Sequence, residues 1–411
     1  MRSFERRDLF VSGLGVVSAI GQGRKDFLQG LMEGRQRFAA MQRPGRQRPE
    51  ADPALSPFIG AEIGELGLPD RVSPSLQRAA SWSGKAALAA LGEAWLDACL
   101  DEVPPHRIGL VVGGSNLQQR ELMLSREAYR GRESFLRPTY ALSFMDSDIC
   151  GLCTEAFGIR GMAYTAGGAS ASGQLAVLQA CEAVESGRVD ICIALGALMD
   201  LSYWECQSFR SLGAMGSDRY ADAPQLACRP FDEGRDGFIY GEACGAVVVE
   251  RAGRKSINPY ARLSGRGVAM DGNRNPNPSL EGEVEAIRQA LETAGLRAAD
   301  IDYINPHGTG SALGDATELQ ALRASGLDHV RLNATKALVG HGLSAAGGVE
   351  LIAGLLQMRE GRLHPTRNLD SPMAPDLGWT GSEAARHEMR HALNLSMGFG
   401  GINTAVCFSR V

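Results

Sequence analysis

Short apolar runs of strand length alternate with longer stretches of mixed polarity along most of this chain. Residues 107–112, 162–165, 190–195 and 245–249 read as buried strands, because each is brief, largely apolar and bounded by turn-forming residues. The same reading applies to 303–305, 393–396 and 404–409. Helical stretches fall between them: 171–185 stopped by Gly187, 283–294 stopped by Gly295, and 343–358. Strands regularly separated by helices predict an α/β fold with sheets covered on both sides. Residues 43–57, rich in Pro, Arg and Gln, read as a surface loop. The opening residues 1–21 carry basic side chains, but their apolar run is short and broken by Gly13 and Gly15. That pattern suits a first strand and its turn better than a signal peptide. No apolar stretch approaches a membrane span.

Composition narrows the picture. The 411 residues allow one large or two medium domains, and 44% apolar with 22% charged residues is ordinary for a globular protein. A net charge of −5 without a basic stripe gives no case for nucleic-acid binding. Nine scattered cysteines form no framework, and Cys192, Cys244 and Cys407 sit inside apolar runs. A reducing cytoplasm is the expected compartment.

Four glycine-rich segments carry the candidate chemistry. Gly167-Gly168-Ala169-Ser170-Ala171-Ser172-Gly173 is a tight turn from strand to helix, where free N–H groups and the helix dipole favour negative charge. Asn305-Pro306-His307-Gly308-Thr309-Gly310-Ser311 follows a strand directly. Thr335-Lys336-Ala337-Leu338-Val339-Gly340-His341 runs into Gly342-Leu343-Ser344-Ala345-Ala346-Gly347. Ser396-Met397-Gly398-Phe399-Gly400-Gly401-Ile402-Asn403 lies near the end. Together with Arg229-Pro230-Phe231-Asp232 to Gly241-Glu242 and the opening Val11-Ser12-Gly13-Leu14-Gly15, this ordered set resembles the β-ketoacyl-acyl carrier protein synthases.

The resemblance implies the thiolase fold, a five-layered α-β-α-β-α core from two similar halves, here 1–255 and 256–411. Letter identity alone displays no internal repeat. In the family the turn before the helix carries a nucleophilic cysteine; here that position holds Ser170. A thiol is readily lowered to a thiolate, whereas a serine hydroxyl needs a positioned base. Loss of the thiol is therefore expected to abolish ordinary condensation. The residues matching the decarboxylation apparatus remain: His307 and His341 as donors to the enolate, Lys336 beside them, and Phe399 as the gatekeeper. Thr309 and Ser311 match positions that bond the phosphopantetheine arm, and Phe209 matches a residue of the acyl tunnel. Trp204 stays unplaced. The implied activity is decarboxylation of malonyl-acyl carrier protein to acetyl-acyl carrier protein in polyketide β-branching. The resemblance further implies a homodimer with no metal and no cofactor of its own, the substrate arriving on the arm of the carrier protein.

Two other readings stay open at this stage. One is a serine-based acyltransferase or condensing enzyme in which His307 activates Ser170; the other is a non-catalytic partner like the chain-length factors, which usually lack the histidine pair. Smaller signals compete with blander ones. The Gly168-Ala169-Ser170-Ala171-Ser172 run fails the hydrolase elbow pattern because Ser172 replaces its second glycine. His387-Glu388-Met389-Arg390-His391 spells a zinc-protease motif, but the resemblance puts it in the approach to a strand rather than on a helix. Cys150-Gly151-Leu152-Cys153 has redox spacing without a second pair. Arg126, Arg130, Arg132 and Arg137 form either a solvated face or a docking patch for an acidic carrier protein.

Overall fold

The computed structural model describes residues 8–49, 56–216, 218–252, 254 and 258–411. The proposed division at 255/256 therefore falls outside the described residues.

Two strand sets with the same internal order make one twelve-stranded sheet. The first contains β1 (Leu9–Ser18), then helix α1 (Trp82–Asp97), β2 (Ile108–Gly113), β3 (Ala163–Ala166), α2 (Ser172–Glu185), β4 (Ile191–Gly196) and β5 (Ala243–Arg251). The second contains β6 (Ala261–Met270), α3 (Leu280–Ala294), β7 (Tyr303–Asn305), α4 (Ala312–Ala324), β8 (Arg331–Leu332), α5 (Ala346–Glu360), β9 (His391–Gly398) and β10 (Ile402–Ser409). Across the sheet the order is β8-β7-β9-β10-β6-β1-β5-β4-β2-β3, with Gly378–Trp379 flanking β8. In each set the last three strands of the path toward its outer edge run parallel, while the two nearest the join are antiparallel. The sets meet where β1 pairs with β6.

The layers follow from what each helix covers. Helix α1 packs on β1 and β5, and α3 packs on β6 and β10, closing the two outer faces. Between the two strand sets α2 and α5 pack against each other, and α5 is buried all round from Ala346 to Met358. A helix buried on every side belongs in a core, and α5 is one. This is the five-layered arrangement that the resemblance implies.

The topology also exposes a repeat of letters that linear reading misses. Ser12-Gly13-Leu14-Gly15-Val16 on β1 corresponds to Ser264-Gly265-Arg266-Gly267-Val268 on β6. Both glycine pairs exist because a helix lies directly on the strand. A Cβ at Gly15 would sit 1.9 Å from the Ala90 carbonyl oxygen, and one at Gly267 would sit 1.9 Å from that of Ala286. Gly15→Ala and Gly267→Ala should each destabilise the fold by at least about 1–3 kcal/mol, the usual range for overpacking. Gly151→Ala, which meets nothing within 4 Å at an exposed position inside a helix, should instead stabilise it by up to about 1 kcal/mol. Urea midpoints of the three variants decide this.

Most expected elements appear with boundaries shifted by a few residues, but the 43–57 segment is not simply a surface loop. Arg46 is fully buried and bridges Asp200 and Glu242, each at 2.7 Å, and Arg43 pairs with Glu242. Glu242 also accepts the Trp82 indole N–H at 2.9 Å. Burying a charge demands such partners, so this stretch is pinned to the core. Residues 50–55 of it lie outside the described residues. The cysteines are free thiols, all but Cys99 buried. Among the described residues no helix is long and apolar enough to cross a membrane.

Candidate active site

Ser170 sits in a short 3-10 turn, Ala169–Ala171, that feeds the N-terminus of α2. Ala169 has φ 47°, a left-handed backbone that L-residues seldom adopt, and it is held by local bonds. Ser172 Oγ donates to the Ala169 carbonyl at 2.7 Å and accepts the Gly168 N–H at 2.9 Å. Gly398 at the end of β9 crosses so close that a Cβ there would lie 2.2 Å from the Gly168 carbonyl oxygen. That approach brings Phe399 to the same cavity as Ser170.

The two histidines come from the second strand set. His307 follows β7, and its N–H and that of Gly308 both donate to Glu318 on α4, at 2.6 and 2.8 Å. Asp315, one helical turn earlier, accepts from Phe231, Thr309 and Gly310. The segment from Arg229 to Glu242 threads between the two histidine motifs. Gly237 N–H donates to the Gly310 carbonyl at 3.0 Å, and His341 N–H donates to that of Ile239 at 2.7 Å. The imidazole rings stand 5.5 Å apart and nearly perpendicular.

Hydrogen bonding settles which ring nitrogens carry protons. The Leu343 N–H donates to His341 Nδ1 at 3.3 Å, so the proton of the neutral ring is on Nε2. That Nε2–H points at Ser170 Oγ, 3.1 Å away. Lys336 has only donors, and its ammonium lies 3.3 Å from His307 Nδ1. It also donates to the His307 carbonyl and to Glu350. Its three protons thus have three partners, and His307 likewise keeps its proton on Nε2. Burial, and then the Lys336 charge, hold both imidazoles well below their ordinary pKa, with His341 adding to the effect on His307. Both rings are neutral donors at neutral pH.

The cavity holds about 460 Å³ and brings together Ser170, Phe209, His307, Thr309, Ser311, His341 and Phe399. Phe399, 41% exposed, starts an aromatic chain at the mouth: Phe209 is 6.4 Å away, Phe238 a further 5.5 Å, and His341 5.1 Å beyond. Thr309 and Ser311 bond each other at 2.9 Å. Lys336 lies behind the histidines, 1% exposed, rather than in the cavity wall. Trp204 is 61% exposed, stacks on Tyr203, and does not line the cavity. His387 and His391 lie at the approach to and start of β9, bonded to the Asp302 carbonyl and to Ser409. Cys150 and Cys153 are buried on the helix Ser147–Phe157. Arg126 bonds the Tyr140 hydroxyl at 2.7 Å, at an exposed site.

Glu350, Glu318 and Asp315 escaped the sequence reading. Their signal was present in the spacing: Asp315 and Glu318 share one helix face, and Glu350 projects from an otherwise apolar helix.

The "Beta-ketoacyl synthase, N-terminal domain" pattern matches residues 6–254, and the "Beta-ketoacyl synthase, C-terminal domain" pattern matches 260–370. The chain belongs to the β-ketoacyl synthase family. It is 58% identical over 407 residues to the polyketide biosynthesis malonyl-ACP decarboxylase PksF of Bacillus subtilis (strain 168), covering 98% of this chain and 97% of that protein. The fold superimposes on a β-ketoacyl synthase from Burkholderia phymatum STM815 with a TM-score of 0.88 at 26% identity, covering 98% and 100% of the two chains. It also matches, at TM-score 0.86 and 25% identity, a ketosynthase solved in complex with its type II polyketide acyl-carrier protein; 99% of this chain and 100% of that one are covered. As in these synthases, the fold is the thiolase fold.

Proposed function

We propose that this enzyme converts malonyl-acyl carrier protein to acetyl-acyl carrier protein in polyketide biosynthesis, as part of β-branching. The observation that carries the reading is the tautomeric state of the site. Two neutral imidazoles offer Nε2–H groups to one cavity, while the Ser170 hydroxyl receives a hydrogen bond instead of giving its proton to a base.

The chemistry follows from that arrangement. The malonyl thioester arrives on the phosphopantetheine arm of a carrier protein, past Thr309 and Ser311. Its carbonyl oxygen accepts from His307 and His341. The bond from C2 to the carboxylate breaks, carbon dioxide leaves, and the electron pair becomes an enolate whose oxygen the two N–H groups stabilise. Phe399 and Phe209 give the departing carboxylate an apolar neighbourhood. Protonation at C2 completes the acetyl group. Ser170 occupies the acyl-acceptor position without an activating base, so no chain is transferred to the enzyme. We further assign residues 1–255 and 256–411 to the two halves, and a homodimer as the working assembly; the carrier-protein complex of a related ketosynthase supports the docking partner.

Ser170→Ala tests the serine's part. Removing one neutral hydrogen bond should lower turnover by less than about tenfold, in line with a net worth of about 0.5–1.5 kcal/mol. Intact-mass analysis should detect no acyl group on the wild-type enzyme. Collapse of activity in the variant, with an adduct on wild-type Ser170, would favour the acyltransferase instead.

A further inference from the structure

Decarboxylation leaves a carbanion-like carbon that must take up a proton, and the two imidazole N–H groups are committed to the enolate oxygen. A different group in the same cavity is suited to that task. Glu283 stands in the first turn of α3 and lines the cavity with Ser170, His307 and His341. It is 2% exposed, yet its Oε2 has no hydrogen-bond partner among the described residues.

The carboxyls around it are provided for, and Glu283 is the exception. Glu318 accepts two backbone N–H groups and Asp315 three. Asp271, just after β6, accepts the Asn403 side-chain N–H at 2.7 Å. Arg235 stands 3.9 Å from Asp315, and Lys336 acts on Glu318. The charged groups acting on Glu283 itself are Glu318, Asp271 and Asp315, all carboxyls. Burial first, then these neighbours, raise its pKa well above the ordinary carboxylate range. Both effects favour the protonated form of the Glu283 carboxyl. A neutral carboxyl without an internal acceptor is a free donor, and the space it faces is the substrate cavity.

We propose that Glu283 is the acid that protonates the enolate carbon, an assignment that rests on the decarboxylase reading above. The Glu283 O–H bond breaks, the C2–H bond forms, and the enolate collapses to the thioester carbonyl. The carboxylate left behind regains a proton from water at the cavity mouth. Its three carboxyl neighbours favour that return.

The test compares wild-type enzyme with Glu283→Gln and Glu283→Ala on malonyl-loaded carrier protein across pH. Glutamine keeps the shape but cannot supply the proton, so kcat should fall about 10²-fold, the lower range of general acid catalysis, with little change in KM. The wild-type kcat should decline on the alkaline side as Glu283 ionises, and this limb should vanish in Glu283→Gln. Formic acid should restore turnover to Glu283→Ala about tenfold or more, since a small acid can fill the vacated space. Turnover of Glu283→Gln within about twofold of wild type, with the limb intact, would overturn the assignment. Loss of activity in both variants with no formic acid rescue would overturn it too, marking a structural role. If wild-type enzyme leaves the malonyl group untouched, the decarboxylase reading itself fails, and this assignment with it.

Discussion

Replacing His307 or His341 with alanine should slow decarboxylation of malonyl-carrier protein by about 10²–10³-fold each, the usual effect of removing one oxyanion donor. The charge that develops on the thioester oxygen has two neutral N–H donors aimed into one cavity, each fixed by a bond to its other ring nitrogen. Removing one leaves the remaining imidazole to hold the enolate alone. The effect should fall on kcat rather than KM, because the donors matter most when charge has formed. The two losses should not multiply fully, since the rings serve one oxygen. The pH dependence follows from the same geometry. Both imidazoles are depressed well below 6.5 by burial and by Lys336, so the acid limb of the wild-type rate should lie well below pH 6.5. Rates of single-turnover acetyl formation by the wild type and the two variants across pH check both statements.

Lys336→Met should be the most destabilising single change near the site. Lys336 and Glu350 form an ion pair in which both side chains are almost fully buried. Removing one partner of such a pair typically costs about 3–5 kcal/mol, because the other charge is left without water or counter-ion. Burial already raises the Glu350 pKa, and Lys336 is the group opposing that rise. Without the lysine, Glu350 should fold protonated. Its raised folded-state pKa then makes stability greatest below the ordinary carboxylate range, with stability lost as pH rises through the folded value. The Lys336→Met, Glu350→Leu double variant should recover much of the loss, since an apolar pair carries no desolvation penalty. Activity should not return with it. His307 Nδ1 loses its donor in either variant, and the ring is free to move its proton away from Nε2. Urea titrations at several pH values, run beside turnover, separate the two effects.

Much of the cavity's lining was legible in the sequence for one physical reason: its polar residues sit at strand ends. Ser170, His307, His341 and Phe399 each lie in a glycine-rich turn after or before a short apolar run, so the motifs picked out residues that the fold brings to one cavity. The supporting groups were harder to find. Glu318 and Asp315 lie on a helix whose charged residues look solvated until the fold buries them, and Glu350 stands alone on an apolar one. Leu343, at φ 49°, gave no hint in its letter of the backbone N–H it delivers to His341. The Ser-Gly-x-Gly-Val repeat became visible only through equivalent strand positions, because four shared letters in so long a chain carry little weight alone. Residues 43–57 misled for the opposite reason. Their polar composition suits a loop, yet Arg46 finds two buried carboxylates far away in sequence.

The most direct measurement is the intact mass of malonyl-loaded carrier protein after incubation with the wild-type enzyme. Loss of carbon dioxide to give acetyl-carrier protein is expected, with the enzyme's own mass unchanged. Malonyl-carrier protein that survives incubation with folded enzyme, or an acyl adduct appearing on Ser170, would contradict it.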